Sequence, residues 1–197
     1  PDDSGKGKAQ IAYGYVIGSF DDYMKNAAFG LISSVVCGSN ESPLKKVILN
    51  NGLGEDIYFS MEDGLLQPFV EIDVINTDLE KQDQVHDAIY GELERIVREG
   101  IDKDELIATL NKAEFKAREK DFGGAPKGLA FAISTLSSWL YDGDPADALK
   151  VDELFSELRE KVSTGYYESL IQEYILNSSH HATVLLKPSN TLGQKKA

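Results

Sequence analysis

The spacing of apolar residues changes several times along the chain, and each change predicts a different element. Stretches rich in aromatic and β-branched residues predict strands, and they occupy 9–18, 56–61, 69–75 and 181–187. Apolar residues at helical spacing predict amphipathic helices between the strands. The first helix is expected to start at an N-cap Ser19 and end at Gly38, the second to run from Ser42-Pro43 to Gly52, and the third to close at Gly100.

The longest helical region begins at Asp102, which with Glu105 three residues later resembles a capping box. A Gly-Gly-Ala-Pro break at 123–126 separates it from a second segment, 127–141. That segment has more apolar surface than one helical stripe can hold, so we expect it to lie beneath other elements as the best candidate for the core. On this interpretation Trp139 is a core side chain, and its replacement by alanine is expected to cost about 3–5 kcal/mol.

The order of these elements predicts the fold class. One strand, two helices, two strands, a long run of helices and a final strand favour an α+β two-layer sandwich, with a mainly antiparallel sheet packed against helices. The length of 197 residues suits one domain. We expect a loose lead-in at 1–8, a single domain at 9–188, and the start of a linker at 189–197.

Charge excludes some classes of partner. The chain has 33 acidic and 20 basic residues and a formal net charge of −13, which repels nucleic acid and anionic membrane surfaces. We therefore expect no nucleic-acid partner and no membrane partner. The single cysteine, Cys37, does not identify a compartment. Cytoplasm is favoured, with an organelle lumen or the periplasm as alternatives.

Candidate catalytic side chains are few. The chain has three histidines, His86, His180 and His181, and no two of them are four residues apart, the spacing of a helical metal site. His180 and His181 are neighbours at the edge of a predicted strand, so their side chains should point to opposite faces and cannot easily bind one ion. No Gly-x-Ser-x-Gly turn occurs. Cys37 lies at a helix end, where a thiol is more typical of packing than of nucleophilic chemistry. The residues by themselves thus indicate a folded domain without an evident active site.

Four stretches resemble the pitrilysin-type (M16) zinc metallopeptidases, in the branch of presequence protease and falcilysin. They are Ser42-Pro43-Leu44 with 51–54 (NGLG), 111–123 (NKAEFKAREKDFG), 128–145 with its Trp139-Leu140-Tyr141 and Asp144-Pro145, and 174–188 (YILNSSHHATVLLKP). The resemblance covers most of the chain in the same order. It implies a LuxS/MPP-like metallohydrolase fold, and a place as the second, inactive domain of the N-terminal half of a larger enzyme.

The family's metal motif, His-x-x-Glu-His, is missing at the matching place. Counted back without gaps from Cys37-Gly38-Ser39, its positions hold Phe29, Ile32 and Ser33. The resemblance therefore implies no catalytic residue, no bound metal and no cofactor in this chain, and places the zinc in the parent's catalytic domain. The implied partners are the preceding catalytic domain, the following half of the same polypeptide and the parent's peptide substrates.

The resulting hypothesis is a noncatalytic peptidase-like domain that supports the catalytic domain and lines the chamber for short unfolded peptides. Acidic charge could favour basic peptides there. One alternative is a peptide-binding or assembly subunit with no hydrolytic parent. Another is a stand-alone hydrolase with an unrecognised carboxylate site.

Overall fold

A computed structural model of the chain describes residues 6–119 and 126–189. These residues form four strands and seven α-helices. In chain order they are β1 (Ala9–Val16), α1 (Tyr23–Cys37), α2 (Pro43–Asn50), β2 (Asp56–Glu62), β3 (Phe69–Thr77), α3 (Gln82–Glu99), α4 (Lys103–Glu119), α5 (Lys127–Trp139), α6 (Val151–Glu160), α7 (Tyr166–Ile171) and β4 (His181–Leu186). A π-helical turn, Gln172–Leu176, extends α7. The α+β class predicted from the sequence is confirmed.

The four strands form one antiparallel sheet in the order β2-β3-β1-β4. Successive side chains along each strand point to opposite faces of the sheet. Val70, Ile72 and Val74 of β3 are fully buried, whereas Glu71 and Asp73 between them are half-buried on the opposite face. Helices cover only the first of these faces among the described residues, which gives the two layers that the element order predicted.

The core lies between the sheet and the helices α1 and α3. Tyr15 of β1, Ile17 just after this strand and Ile89 of α3 are all buried to 1% exposure or less. Ile32 of α1 belongs to the same cluster. α1 carries small and branched apolar residues on most of its circumference, so it can be covered on several sides at once.

The predicted helix ends are mostly correct. Asp102 accepts hydrogen bonds from the backbone N–H groups of Asp104 and Glu105, at 3.1 and 3.0 Å, as an N-cap should. Gly100 ends α3 with φ +95°, a conformation that favours glycine. The predicted start of α1 at Ser19 is wrong, because α1 begins at Tyr23. The Ser19 N–H donates to the Asp22 carboxylate at 3.2 Å, so 19–22 form a turn before the helix.

The prediction that 127–141 lies buried in the core is also wrong. Most of the large apolar side chains of α5 and its C-cap are more than one-third exposed, and Trp139 is 65% exposed. α5 instead packs mainly against the short turn Asp147–Leu149. Helical periodicity had indicated an apolar face, but it carries no information on whether another element covers that face.

Three predictions fall wholly or partly outside the described residues. These are the Gly123-Gly124 part of the break, most of the 1–8 lead-in and most of the 189–197 linker. The division into a single domain at 9–188 stays a prediction. None of the helices in the described part of the chain combines the length and apolarity that crossing a bilayer requires.

Candidate functional site

The resemblance predicts that Phe29, Ile32 and Ser33 stand at the positions of the family's metal motif, and all three lie on α1. Phe29 and Ile32 are both 0% exposed. The Phe29 ring meets the Tyr174 ring edge-on, with centroids 6.1 Å apart. The Ser33 hydroxyl donates to the Gly30 carbonyl at 3.0 Å, inside the same helix. Phenyl and alkyl groups offer no lone pair to a metal, so Phe29 and Ile32 act here as packing residues.

The histidines lie at two separate places. His86 stacks on Tyr90 along α3, with ring centroids 4.1 Å apart, and its Nδ1 is 3.2 Å from the Asp87 carboxylate. His181 begins β4, and its Nδ1 is 2.9 Å from the Ser178 carbonyl. Across residues 6–119 and 126–189, no three His, Cys, Asp or Glu side chains are grouped so that they could hold a metal ion.

A small aromatic cluster connects α3 to β1. The hydroxyls of Tyr15 and Tyr90 are 2.9 Å apart, and Tyr13 lies edge-on to His86 at 6.0 Å. Burial raises the pKa of Tyr13 to about 12 and also raises the pKa of Tyr15 above its usual range. These phenols therefore stay protonated near neutral pH, which suits a structural role better than proton transfer.

Cys37 is buried at the end of α1, where its Sγ donates to the Ile57 carbonyl at 3.4 Å. Burial raises the pKa of this thiol to about 11. Because a thiolate is the reactive form, Cys37 is unsuited to nucleophilic chemistry near neutral pH.

The described residues form an open groove of about 1310 Å³ that the sequence did not predict. We call it the α5 groove. One wall is the apolar stripe Ile133, Leu136 and Leu140 on α5 and its C-cap. The lining also includes Met24 from α1, Leu154 from α6 and Leu170 from α7. Several separate stretches of chain contribute to the groove, so no local sequence pattern could have revealed it.

Contacts at the C-terminal end of α5 hold the groove wall in place. The Tyr141 ring packs on Phe20 with centroids 5.3 Å apart, and its hydroxyl donates to the Gly64 carbonyl at 3.1 Å. The Ser138 hydroxyl donates to the Asp144 carbonyl at 2.9 Å. α5 is therefore anchored at one end while its apolar stripe faces an open space.

An ion pair lies among the residues that line the groove. Lys25 Nζ lies 2.7 Å from the Asp22 carboxylate and donates to the Tyr174 hydroxyl at 3.3 Å. The hydrogen bond from Lys25 lowers the pKa of Asp22. Lys150 on the rim pairs in the same way with Asp147, at 2.7 Å. Both lysines that line the groove are therefore engaged by carboxylates of the chain itself.

Comparison with known proteins gives the family. The family model described as the peptidase M16 inactive domain matches residues 1–112, more than half of the chain. This chain belongs to the peptidase M16 inactive-domain family. This match confirms the resemblance to the M16 zinc metallopeptidases that the sequence showed.

Two relatives show how much of a longer protein the chain matches. Protein HypA of Clostridium perfringens is 30% identical over 190 residues, which are 96% of this chain and 20% of that protein. Presequence protease 1, chloroplastic/mitochondrial, of Arabidopsis thaliana is 34% identical over 172 residues, which are 85% of this chain and 16% of that protein. The M16 chain described here thus spans about a fifth or less of the length of these relatives.

Solved structures of the same family share the fold. The inactive peptidase domain of a Bordetella parapertussis protein superposes with a TM-score of 0.69 at 14% identity, covering 92% of this chain and 93% of that chain. The peptidase M16 inactive domain from Pseudomonas fluorescens gives a TM-score of 0.60 at 14% identity, with coverages of 93% and 41%. The sandwich predicted for this chain is therefore the architecture of M16 inactive domains.

Proposed function

We propose that this chain is the noncatalytic second domain of the N-terminal half of a larger zinc metalloendopeptidase. In this proposal the zinc lies in the parent's preceding catalytic domain, and the chain itself holds no catalytic residue and no cofactor. The observation that carries the proposal is the filled interior of α1, where Phe29 and Ile32 occupy the core at 0% exposure. A helix packed in this way stabilises the domain and leaves no position for a metal ligand.

The chain matches only a small fraction of the length of its relatives, and this supports a role within a longer polypeptide. It matches 16% of a protein named as a presequence protease, and inactive domains of M16 proteins have the same fold. The proposed partners are the preceding catalytic domain, the following half of the polypeptide and short unfolded peptides. The parent's compartment is proposed to be the cytoplasm, or else an organelle lumen or the periplasm.

The uncovered face of the sheet supports a role as chamber wall. In β3 this face carries Glu71 and Asp73, which are paired across the sheet with Ser60 and Tyr58 of β2. Burial raises the pKa of Asp73, and its shielded Oδ1 has no hydrogen-bond partner among the described residues. Because an unpaired carboxyl oxygen is costly, this position favours a donor brought by a peptide N–H or a basic side chain. This face is the part of the chain that we assign to the chamber.

The proposal is tested in the parent polypeptide. Glu71→Lys and Ser60→Lys change the open face without touching the core, and Glu94→Lys on the exposed side of α3 is the matched control. We expect the face variants to raise the KM for a lysine-rich unfolded peptide about tenfold while zinc content stays unchanged. Kinetics identical to the control would contradict the chamber assignment. A parent without bound zinc would contradict the peptidase assignment.

A further inference from the structure

Two polar side chains of α1 that line the α5 groove have atoms without hydrogen-bond partners. Asn26 is 7% exposed. Its Nδ2 donates to the Ser19 carbonyl at 3.3 Å, but its Oδ1 is shielded from solvent and has no hydrogen-bond partner among the described residues. The Tyr23 hydroxyl, one turn earlier on the same helix, is also shielded and unpaired within the described part of the chain. Because an unpaired buried acceptor is costly, these atoms favour an occupant of the groove that brings N–H donors.

Carboxylates around the groove favour a cationic occupant. Seven of them line it, together with Lys25 and Lys150. The two lysines pair with Asp22 and Asp147, each at 2.7 Å. The other five carboxylates are exposed and have no ion-pair partner among the described residues: Asp21, Asp63, Glu153, Glu157 and Glu173. An occupant with several positive charges would therefore neutralise the lining.

One ammonium group of the chain itself shows how the groove holds such a charge. Lys25 Nζ lies 2.7 Å from the Asp22 carboxylate, donates to the Tyr174 hydroxyl at 3.3 Å and stands 4.7 Å from the centroid of the Tyr174 ring. A carboxylate, a phenol and an aromatic face thus bind one ammonium group together. The lining also contains the rings of Phe20 and Tyr166. It therefore offers both carboxylates and aromatic surface to further ammonium groups.

The apolar part of the lining favours short hydrocarbon segments between those charges. Ile133 and Leu136 of α5 are 59% and 38% exposed, so each offers apolar surface to a ligand. Glu153 and Glu157 are four residues apart on α6, which places their Cβ atoms about 5–6 Å from one another. A spacer of three or four methylenes between two ammonium groups suits that separation. Several ammonium groups joined by such spacers make a linear aliphatic polyamine.

Other occupants fit the lining less well. A peptide brings a carbonyl acceptor at every residue, which neither the carboxylates nor the Asn26 Oδ1 can satisfy, whereas a protonated polyamine offers only donors. A metal ion is disfavoured, because no three His, Cys, Asp or Glu side chains of the described residues are grouped to hold one. A second copy of the chain, with its net charge of −13, is repelled, as are nucleic acid and anionic lipid.

We infer that the α5 groove is a binding site for a linear aliphatic polyamine. Its ammonium groups contact the unneutralised carboxylates and the Asn26 Oδ1, and its methylene segments lie against Ile133 and Leu136. The proposed function concerns peptides and a zinc-containing parent, whereas this inference concerns a small organic cation bound by the chain alone. It therefore goes beyond the proposed function and can fail without affecting it.

Calorimetry with the 197-residue chain tests this inference. The probe is spermidine, and the comparison ligands are 1,8-octanediol, which has a similar length and no charge, and Mg²⁺ at an equal concentration of charge. We expect saturable binding of one spermidine per chain, weakened by added salt, and no saturable binding of the diol. Mg²⁺ should not displace spermidine. Heat without saturation, or full displacement by Mg²⁺, would overturn the inference.

Charge-removing variants identify the α5 groove as the site. Glu153→Gln with Glu157→Gln removes two exposed charges of the lining at nearly constant side-chain size, and it is expected to weaken spermidine binding about tenfold. The matched control is Glu80→Gln with Glu94→Gln, which removes two exposed charges outside the lining and should change the affinity much less. If the control weakens binding as much as the α6 variant, the attraction is to overall charge and the site is wrong.

Variants at Asn26 test the unpaired acceptor. Asn26→Leu removes the Oδ1 at similar side-chain volume and is expected to weaken spermidine binding about fivefold. Asn26→Asp keeps an acceptor, adds a negative charge and should bind spermidine at least as tightly as the wild-type chain. Weaker binding by Asn26→Asp than by Asn26→Leu would overturn the inference. Because Glu153 and Glu157 are exposed, the α6 variant decides the question even if Asn26→Leu fails to fold.

Competition distinguishes a polyamine from other occupants. An unfolded lysine-rich peptide is titrated into the complex of the chain with spermidine, and we expect no displacement at an equal concentration of ammonium groups. Displacement at that concentration or below would show that the groove binds peptides and would overturn the inference. Spermidine should also bind the parent polypeptide, with the same loss in the α6 variant. Its failure to bind there would show that a neighbouring domain fills the groove, and this result would overturn the inference as well.

Discussion

The ring of Phe29 lies edge-on to the ring of Tyr174, with their centroids 6.1 Å apart. This contact joins the middle of α1 to the π-helical turn that precedes β4, so two segments far apart in the sequence share one packing contact. The sequence resemblance predicts that Phe29 stands at a metal-ligand position of the family's catalytic domains. In this chain the side chain is buried and packs against Tyr174.

Replacing Phe29 by alanine should be severely destabilising. The side chain is fully buried, so Phe29→Ala removes both its transfer free energy and its contact with Tyr174. We expect the free energy of unfolding to fall by about 3–5 kcal/mol in a denaturant titration. Ser33→Ala, one turn later on α1 and half-buried, is the control and should change it by less than about 1 kcal/mol. Similar losses for both variants would show that Phe29 has no special packing role.

Replacing Trp139 by alanine should have little effect on the stability of the chain. Because its side chain is 65% exposed, Trp139→Ala removes little buried surface. We expect a change within about 0.5 kcal/mol in the same titration. Trp139 is the only tryptophan, so the emission maximum of the folded wild-type chain should also be that of a solvent-exposed indole. A loss of several kcal/mol, or a blue-shifted emission maximum, would contradict this prediction and indicate that Trp139 is buried in the core.

Phe29 and Trp139 show which features of the fold can be predicted from the sequence and which cannot. Strand limits, helix ends at Gly38 and Gly100, and the antiparallel pairing of β2 with β3 follow from local spacing and turn residues. The burial of Phe29 also agrees with the apolar pattern of α1. The position of α5 does not follow from its own sequence, because burial depends on what the other elements leave uncovered. The α5 groove was missed for the same reason.

Alkaline pH should weaken the fold in part through Cys37. Burial raises the pKa of its thiol from 9.0 to about 11, so above about pH 9 the unfolded chain loses this proton before the folded chain does. Stability therefore falls as pH rises from about 9 toward 11, by about 1 kcal/mol from this group at pH 10. The slope of stability against pH should be smaller in Cys37→Ala.

Tyrosines provide the internal control for that experiment. Burial raises the pKa of Tyr13 and of Tyr167 from 10.0 to about 12, so their contribution falls off at higher pH in both the wild-type chain and Cys37→Ala. The two chains should therefore diverge between about pH 9 and pH 11 and decline in parallel above that range. Identical slopes throughout would mean that Cys37 is accessible to solvent in the folded chain.

Zinc content and peptide hydrolysis of the purified chain test the central claim most directly. The chain should be incubated with zinc, freed of excess metal, analysed for bound metal and assayed with an unfolded peptide, before and after addition of a chelator. Phe29 and Ile32, which the resemblance places at the family's metal-motif positions, are buried in the core. We therefore predict no stoichiometric zinc and no chelator-sensitive cleavage. One zinc per chain together with hydrolysis that the chelator abolishes would contradict the account.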